Sequence, residues 1–105
     1  MCETDIAIGV IEQYINEHLL APYATWDKYE FKKRSYERWA AYEICEKIMD
    51  SPLEDPSSVI EAFMFKAQYY ADICELRSDS IFTLNRGFIF KCAANIAEEL
   101  LSLFV

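Results

Sequence analysis

The chain has 105 residues, of which 53% are hydrophobic and 15% aromatic, with only two glycines and three prolines. This composition is too apolar for a disordered segment and too poor in turn residues for a many-stranded β fold, so it indicates one small all-α domain over residues 1–105. The net charge of −8 disfavours binding to nucleic acid or to anionic lipid, since both need a basic surface.

Export and membrane signals are absent from the sequence. Its first residues carry no positively charged segment, and no apolar run approaches the length of a membrane span. We therefore expect a cytoplasmic protein without membrane contact, whose four cysteines stay reduced. Because these cysteines are isolated and only one histidine is present, we expect no zinc site and no other cofactor.

The first predicted helix runs from about Asp5 to Leu20 and ends before Pro22. Its apolar residues recur at helical spacing, with polar residues between them. His18, the only histidine, lies on this apolar stripe, so we expect it to pack in the core or at its rim rather than to act in acid–base chemistry.

Residues 23–34 allow two interpretations. Asp27 and Glu30 form a capping-box pattern, from which a helix could run through to Met49. A second helix start at Ser35 is also compatible with the sequence. From Tyr36 onward the helical pattern is clear.

Pro52 and Pro56 predict a loop over residues 51–56, since neither neighbouring helix can cross both prolines. Ser58 and Glu61 form a second capping box, which predicts a helix from Ser58 to Leu76 or the next residue.

Residues 78–80 form a short break rich in capping residues, after which the last predicted helix runs from about Ile81 to Phe104. Gly87 inside this helix marks a kink or a later start. Four helices with short links predict a small antiparallel helical bundle.

Two aromatic triplets lie near the middle of the chain: Tyr23, Trp26 and Tyr29 recur thirteen residues later as Tyr36, Trp39 and Tyr42. On one straight α-helix the second set lies about 220° around from the first, so both cannot face one core. Either the helix breaks near residues 32–35, or one set contacts a partner. We expect Trp39 in the core and Trp26 at the rim or at a subunit contact.

A basic segment overlaps the first triplet. Residues 28–38 hold five of the ten basic side chains and carry a net charge of +3, in a chain that is otherwise acidic. Such a segment either docks on this protein's own acidic surface, within the chain or across a dimer, or is a solvated face. The predicted partner-binding residues are Tyr23, Trp26, Tyr29, Lys32, Lys33 and Arg34.

No pattern in the chain is typical of catalysis. It has no Gly-rich phosphate loop, no nucleophile elbow and no HExxH motif. Glu98 and Glu99 are adjacent, so a helix points them to different sides and they do not form a catalytic pair. We expect no enzymatic activity.

An aromatic- and alanine-rich helix closes at Ile48–Pro52 and is followed by Pro56, a hydroxyl at Ser58, Ile60, Phe63 and Lys66, with a last helix ending in Ile-Ala-Glu-Glu-Leu-Leu. In these features the stretch from Tyr36 to Phe104 resembles a group of short, uncharacterised all-helical proteins of proteobacteria, often prophage-associated. The resemblance implies a bacterial or phage origin and a non-enzymatic helical protein.

These observations favour a non-enzymatic interaction protein that self-associates through aromatic helix surface, with a second copy or another protein as its partner. The alternative is an acidic phage-type inhibitor that mimics nucleic acid and blocks a host defence or nucleic-acid-binding complex. Net charge, size and the prophage resemblance support that alternative. The spread of the acidic residues along the helices counts against it.

Overall fold

The computed structural model describes residues 3–20, 26–77 and 80–104, except the side chains of residues 81 and 82. Within these ranges the chain forms four α-helices: α1 (Glu3–Tyr14), α2 (Lys28–Asp50), α3 (Pro56–Leu76) and α4 (Ile81–Ser102). The described residues contain no strand, and the helices pack on one another with α3 mainly against α4. The predicted small all-α bundle of about four helices is confirmed.

A π-helical turn, Ile15–Leu19, extends α1 and explains how this helix stays buried along its length. Its buried residues are Ala7, Ile11, Ile15 and Leu19, each four positions after the last. In an α-helix such a row drifts by about 40° per step, and the wider π turn corrects the drift. The π turn leaves His18 exposed, so the prediction that it packs in the core is wrong; its ring instead lies 4.6 Å from that of Tyr14, which packs at the rim of the core.

Helix α2 begins directly after Asp27, whose carboxylate accepts a hydrogen bond from the backbone N–H of Glu30 at 2.7 Å. The start predicted from this pair is confirmed. The helix then continues to Asp50 without the second start proposed at Ser35. The two aromatic triplets are therefore not separated by a helix break at residues 32–35.

The unbroken α2 places Trp39 on its outer flank. This side chain is 48% exposed, so the prediction that it lies in the core is wrong. The buried positions next to it are occupied by Ala40, Ala41 and Ile44. Because successive residues are about 100° apart, a helix that buries Ala40 and Ala41 turns Trp39 towards its edge.

The loop between α2 and α3 covers residues 51–55, close to the predicted 51–56. Helix α3 begins at Pro56 rather than at Ser58, and Asp55 precedes it without a side-chain cap. Proline is suited to this first position because its fixed φ is helical and its missing N–H would have no partner there. The predicted capping role of Ser58 is therefore wrong.

Helix α4 is capped by Ser80, whose hydroxyl accepts a hydrogen bond from the Thr83 N–H at 3.2 Å. Helix α4 runs through Gly87, so the later helix start proposed there is wrong. A Cβ at Gly87 would lie 3.2 Å from the Cβ of Cys74 on α3. The glycine therefore permits a close approach of α3 and α4.

The core is aliphatic. The large side chains that are fully buried in the described chain are all isoleucine or leucine: Ile11, Ile15, Leu19, Ile44, Ile48, Ile60, Ile96 and Leu100. Small residues from α2, α3 and α4 fill the spaces between them, and no described aromatic side chain is buried. The aromatic residues therefore lie at the edges of the helix contacts or on the surface. None of the described helices is both long and apolar enough to cross a membrane.

Candidate functional site

An apolar groove made of two adjoining cavities lies between α2, α3 and α4. Its wider half, about 510 Å³, is lined by Ser35, Tyr36, Trp39, Arg86, Ile89 and Phe90. Its narrower half, about 170 Å³, is lined by Trp39, Lys47, Phe63, Lys66, Ala67, Tyr70, Phe90 and Ala93. Because Trp39 and Phe90 line both halves, we treat them as one surface, the Trp39 groove.

The groove depends on the antiparallel contact of α3 and α4. Cys74 faces Gly87 at one point of this contact, and the rings of Tyr70 and Phe90 lie 5.3 Å apart one helical turn further along. The close helix approach at Gly87 thus sets the spacing at which Phe90 and Tyr70 form one wall. Helix α2 supplies Trp39 as the other wall.

The aromatic side chains of the groove are only partly covered by the protein itself. Trp39 is 48% and Tyr70 is 40% exposed, and Tyr42 beside the groove on α2 is also exposed. Exposed apolar surface of this kind is typical of binding sites, and Trp and Tyr are the residues that interfaces favour most.

Every charged side chain that the structure describes along the groove is basic: Lys47, Lys66 and Arg86. In the part of the chain that the structure describes, Lys47 and Lys66 make no salt bridge. This edge contrasts with the chain's net charge of −8. The groove therefore favours an apolar partner surface that carries negative charge.

Two of the aromatic residues predicted as partner-binding, Trp26 and Tyr29, lie around the start of α2 and do not line the groove. Trp26 is partly buried and its ring lies 6.5 Å from that of Phe31. Tyr29 is exposed but packs with its ring 5.7 Å from Phe88, which also contacts Tyr36. Tyr29 of the first triplet and Tyr36 of the second thus both contact Phe88 on α4. Tyr23 lies outside the described residues.

The predicted basic residues of α2 interact mainly within their own helix. Arg34 bonds the Glu30 carboxylate at 2.9 Å and Glu37 at 3.2 Å. Lys33 lies 3.9 Å from the Glu37 carboxylate. Lys32 lies over two aromatic rings instead, with its Nζ 5.9 Å from the centroids of Tyr36 and Phe88. Lys33 and Arg34 therefore pair with Glu30 and Glu37, which belong to the basic segment itself.

A separate polar cleft of about 460 Å³ lies between the π turn, α2 and α4. Its lining residues are Tyr14, His18, Lys33, Arg34, Glu37, Asn95, Glu98 and Glu99. Burial raises the pKa of the Glu37 carboxyl, and the nearby Arg34 and Lys33 only partly oppose that shift. Burial, then the Glu99 and Glu37 carboxylates, raise the pKa of the Tyr14 phenol. Lys33 and Arg34 both pair with Glu37. Glu98 and Glu99 both line this cleft, so the expectation that they point to different sides of the helix is wrong.

Among the described residues, no group of three or more His, Cys, Asp or Glu side chains is arranged to hold a metal ion. The described cysteines are free, and burial raises the pKa of the Cys45 and Cys92 thiols to about 11.

Periodicity alone did not find the α3 and α4 walls of the groove. Phe90 and Tyr70 lie just outside the buried sides of α4 and α3, next to Ile89 and to the buried Ala71 respectively. The sequence feature that could have indicated these walls is the excess of aromatic residues next to the buried side of each helix. That excess shows only that the apolar face is wider than one helix contact needs.

No protein-family model matches the chain, and no curated protein and no solved structure matches it. Its function is therefore inferred from its own residues and their geometry.

Proposed function

We propose that this chain is a non-enzymatic interaction protein that self-associates through the Trp39 groove. The observation that carries the proposal is the half-exposed Trp39 at the centre of an apolar groove built by three helices. A tryptophan held by its own fold along one side offers a large, rigid apolar surface at little cost in conformational entropy. Such residues dominate the energy of many interfaces.

Three further features support a protein partner. Trp39 and Tyr70 in the groove remain 48% and 40% exposed, whereas small-molecule sites enclose most of their ligand. Its lining combines Trp39, Tyr36, Tyr70 and Arg86, and these are residue types enriched at energetically important interface positions. None of the charged side chains that the structure describes along the groove is a carboxylate, the group that acid–base hydrolysis commonly uses.

Sedimentation velocity on the wild type and two variants tests the proposal. Trp39→Ala removes the centre of the groove, and Phe31→Ala is a matched control because Phe31 lies on the same helix with the same 48% exposure. We expect the wild type to exceed the monomer mass at tens of micromolar and Trp39→Ala to shift towards monomer. Phe31→Ala should behave as wild type.

Far-UV circular dichroism and a thermal melt confirm that each variant is folded before its mass is compared. A wild type that stays monomeric at all concentrations would contradict self-association. If Phe31→Ala dissociates the protein and Trp39→Ala does not, the interface lies at the start of α2, with Trp26, Tyr29 and the basic segment, rather than in the groove.

The acidic surface favours a second candidate, a nucleic-acid-mimicking inhibitor. All acidic side chains that the structure describes are exposed except Glu30, Glu37 and Glu43. Under this proposal the immobilised protein retains nucleic-acid-binding proteins from a bacterial lysate, and added DNA displaces them. Retention of no such protein, or retention that DNA does not reduce, would count against the inhibitor.

A further inference from the structure

The outer face of α3 carries a second exposed apolar surface. Phe65 is 56%, Tyr69 63% and Leu76 87% exposed. At about 100° per residue these side chains fall within a narrow sector of the helix together with Glu61 and Asp72, both of which are exposed. We call these five residues the α3 stripe. The buried side of the helix, which includes Ile60, Ala67 and Ala71, lies opposite.

The α3 stripe has the spacing of a helix that docks in a groove. Its apolar members stand at the first, fifth and twelfth positions of a twelve-residue segment, and Asp72 lies between the last two. Helices that bind hydrophobic grooves present their anchors at such intervals along one face. The two carboxylates make this stripe acidic as well as apolar.

The Trp39 groove has the opposite charge. Lys47 and Lys66 stand at the edge of its narrower half without salt bridges among the described residues, and no described carboxylate lines either half. One chain thus carries an apolar groove with a basic edge and an apolar helix face with acidic side chains. The positive charge of the groove edge therefore complements the negative charge of the helix face.

We infer that the α3 stripe of one copy docks in the Trp39 groove of a second copy, with Glu61 and Asp72 beside Lys47 and Lys66. This inference rests on the proposed function and specifies its interface. A groove-to-groove dimer would bring the lysines of two copies together, and like charges across an interface are unfavourable. Pairing groove with stripe places opposite charges together around a shared apolar centre.

The two surfaces lie on different sides of the same helix. The groove residues of α3, which include Phe63, Lys66 and Tyr70, are centred about 150° around the helix from the stripe. A contact between two different surfaces joins copies head to tail, so each added copy leaves one groove and one stripe available. Such contacts produce a ring where the rotation closes and an open chain where it does not. The mass in solution should therefore rise beyond that of a dimer with concentration.

A charge-exchange experiment tests this contact. The groove variant carries Lys47→Glu and Lys66→Glu, and the stripe variant carries Glu61→Lys and Asp72→Lys. Since all four residues are exposed, these changes should leave the fold intact, which circular dichroism checks. Each variant alone would place like charges at the contact, and we expect its self-association to weaken by at least about tenfold.

Mixing the two variants restores opposite charges at every contact. The acidic groove of one then meets the basic stripe of the other, and the remaining groove and stripe pair as in the wild type. We therefore expect the equimolar mixture to regain the wild-type mass distribution in sedimentation velocity at low ionic strength. A control with Lys28→Glu and Lys91→Glu changes the net charge by the same amount as the groove variant does. Both residues lie outside the groove and the stripe, so the control should associate as the wild type does.

The outcomes separate the inference from the proposed function. If the wild type is monomeric, both are wrong. If the wild type associates and the stripe variant associates equally well, the groove pairs with another surface, so the inference is wrong and self-association stands. If both variants dissociate and their mixture does not reassemble, the two surfaces do not contact each other and the inference is also overturned.

Discussion

The two glycines of this chain both lie inside helices, and only Gly9 has room for a methyl group. No atom lies within 4 Å of a Cβ placed at Gly9, whereas a Cβ at Gly87 would stand 3.2 Å from the Cβ of Cys74. Replacing a glycine by alanine within a helix stabilises it by about 1 kcal/mol. We therefore expect Gly9→Ala to raise the free energy of unfolding by about 1 kcal/mol, or the melting temperature by about 4–8 °C.

Gly87→Ala gains the same helix propensity but forces a contact below the optimal carbon–carbon separation of about 3.5–4.0 Å. Adding a methyl to a well-packed contact costs about 1–3 kcal/mol. Gly87→Ala should therefore be about 1–3 kcal/mol less stable than Gly9→Ala, with a net effect between neutral and clearly destabilising.

Urea unfolding followed by circular dichroism measures both variants against the wild type. An unchanged slope with denaturant confirms that the shift in midpoint reports stability rather than a change in the unfolded state. Gly9→Ala is the matched control because it makes the same chemical change without the contact. If both substitutions stabilise the protein equally, the close approach of α3 and α4 is not the reason for glycine at position 87.

Three further outcomes follow from caps, thiols and a buried carboxyl. Asp27→Ala should cost about 1 kcal/mol in urea unfolding because it removes the α2 cap, whereas Ser58→Ala should change stability by less than about 0.5 kcal/mol. At pH 8, iodoacetamide should alkylate Cys45 and Cys92 much more slowly in the folded protein than in urea, as mass spectrometry can follow, because burial raises both pKa values to about 11. Burial raises the pKa of Glu37, so the folded state holds that proton more tightly than the unfolded state and the associated stability is lost as pH rises through the raised pKa. The stability of Glu37→Gln relative to wild type, measured by urea unfolding, should therefore increase between pH 4.5 and pH 7, and a constant difference would contradict the shift.

The sequence was sufficient for the helices and for most of their ends. Local chemistry decides a cap, so the Asp27 start of α2 and the Ser80 start of α4 could be predicted from neighbouring residues. The start of α3 was predicted two residues late, because Ser58 and Glu61 match a capping box although Pro56 can begin the helix without one. Two local signals competed there, and the proline determined the first position.

The exposure of Trp39 and the course of the first helix could not be predicted in the same way. Periodicity gives the direction of a buried stripe but not its width, so a large aromatic residue next to Ala40 appeared to belong to the core. The π turn at Ile15–Leu19 depends on what α1 packs against. The row of apolar residues at every fourth position was its only sign in the sequence.

The groove is beyond sequence patterns because its walls come from three helices. Trp39, Tyr70 and Phe90 meet only once α3 and α4 have closed on each other and α2 has packed across them. Each residue lies just outside the buried stripe of its own helix. Their common location depends on the packing angles and on the spacing at Gly87, neither of which a single helix determines.

The composition of the core connects the fold to the proposed interaction. Alanines such as Ala40, Ala67 and Ala97 let the helices approach closely, and isoleucine and leucine fill the remaining space. Helices that pack this closely leave no room between them for aromatic rings. The described rings therefore lie along the helix edges and remain partly exposed. Exposure of these rings to water is unfavourable for the monomer, and association with a second copy would bury them. Replacing Trp39 by a polar residue should therefore weaken association more than it weakens folding, which is the opposite of what a core tryptophan would do.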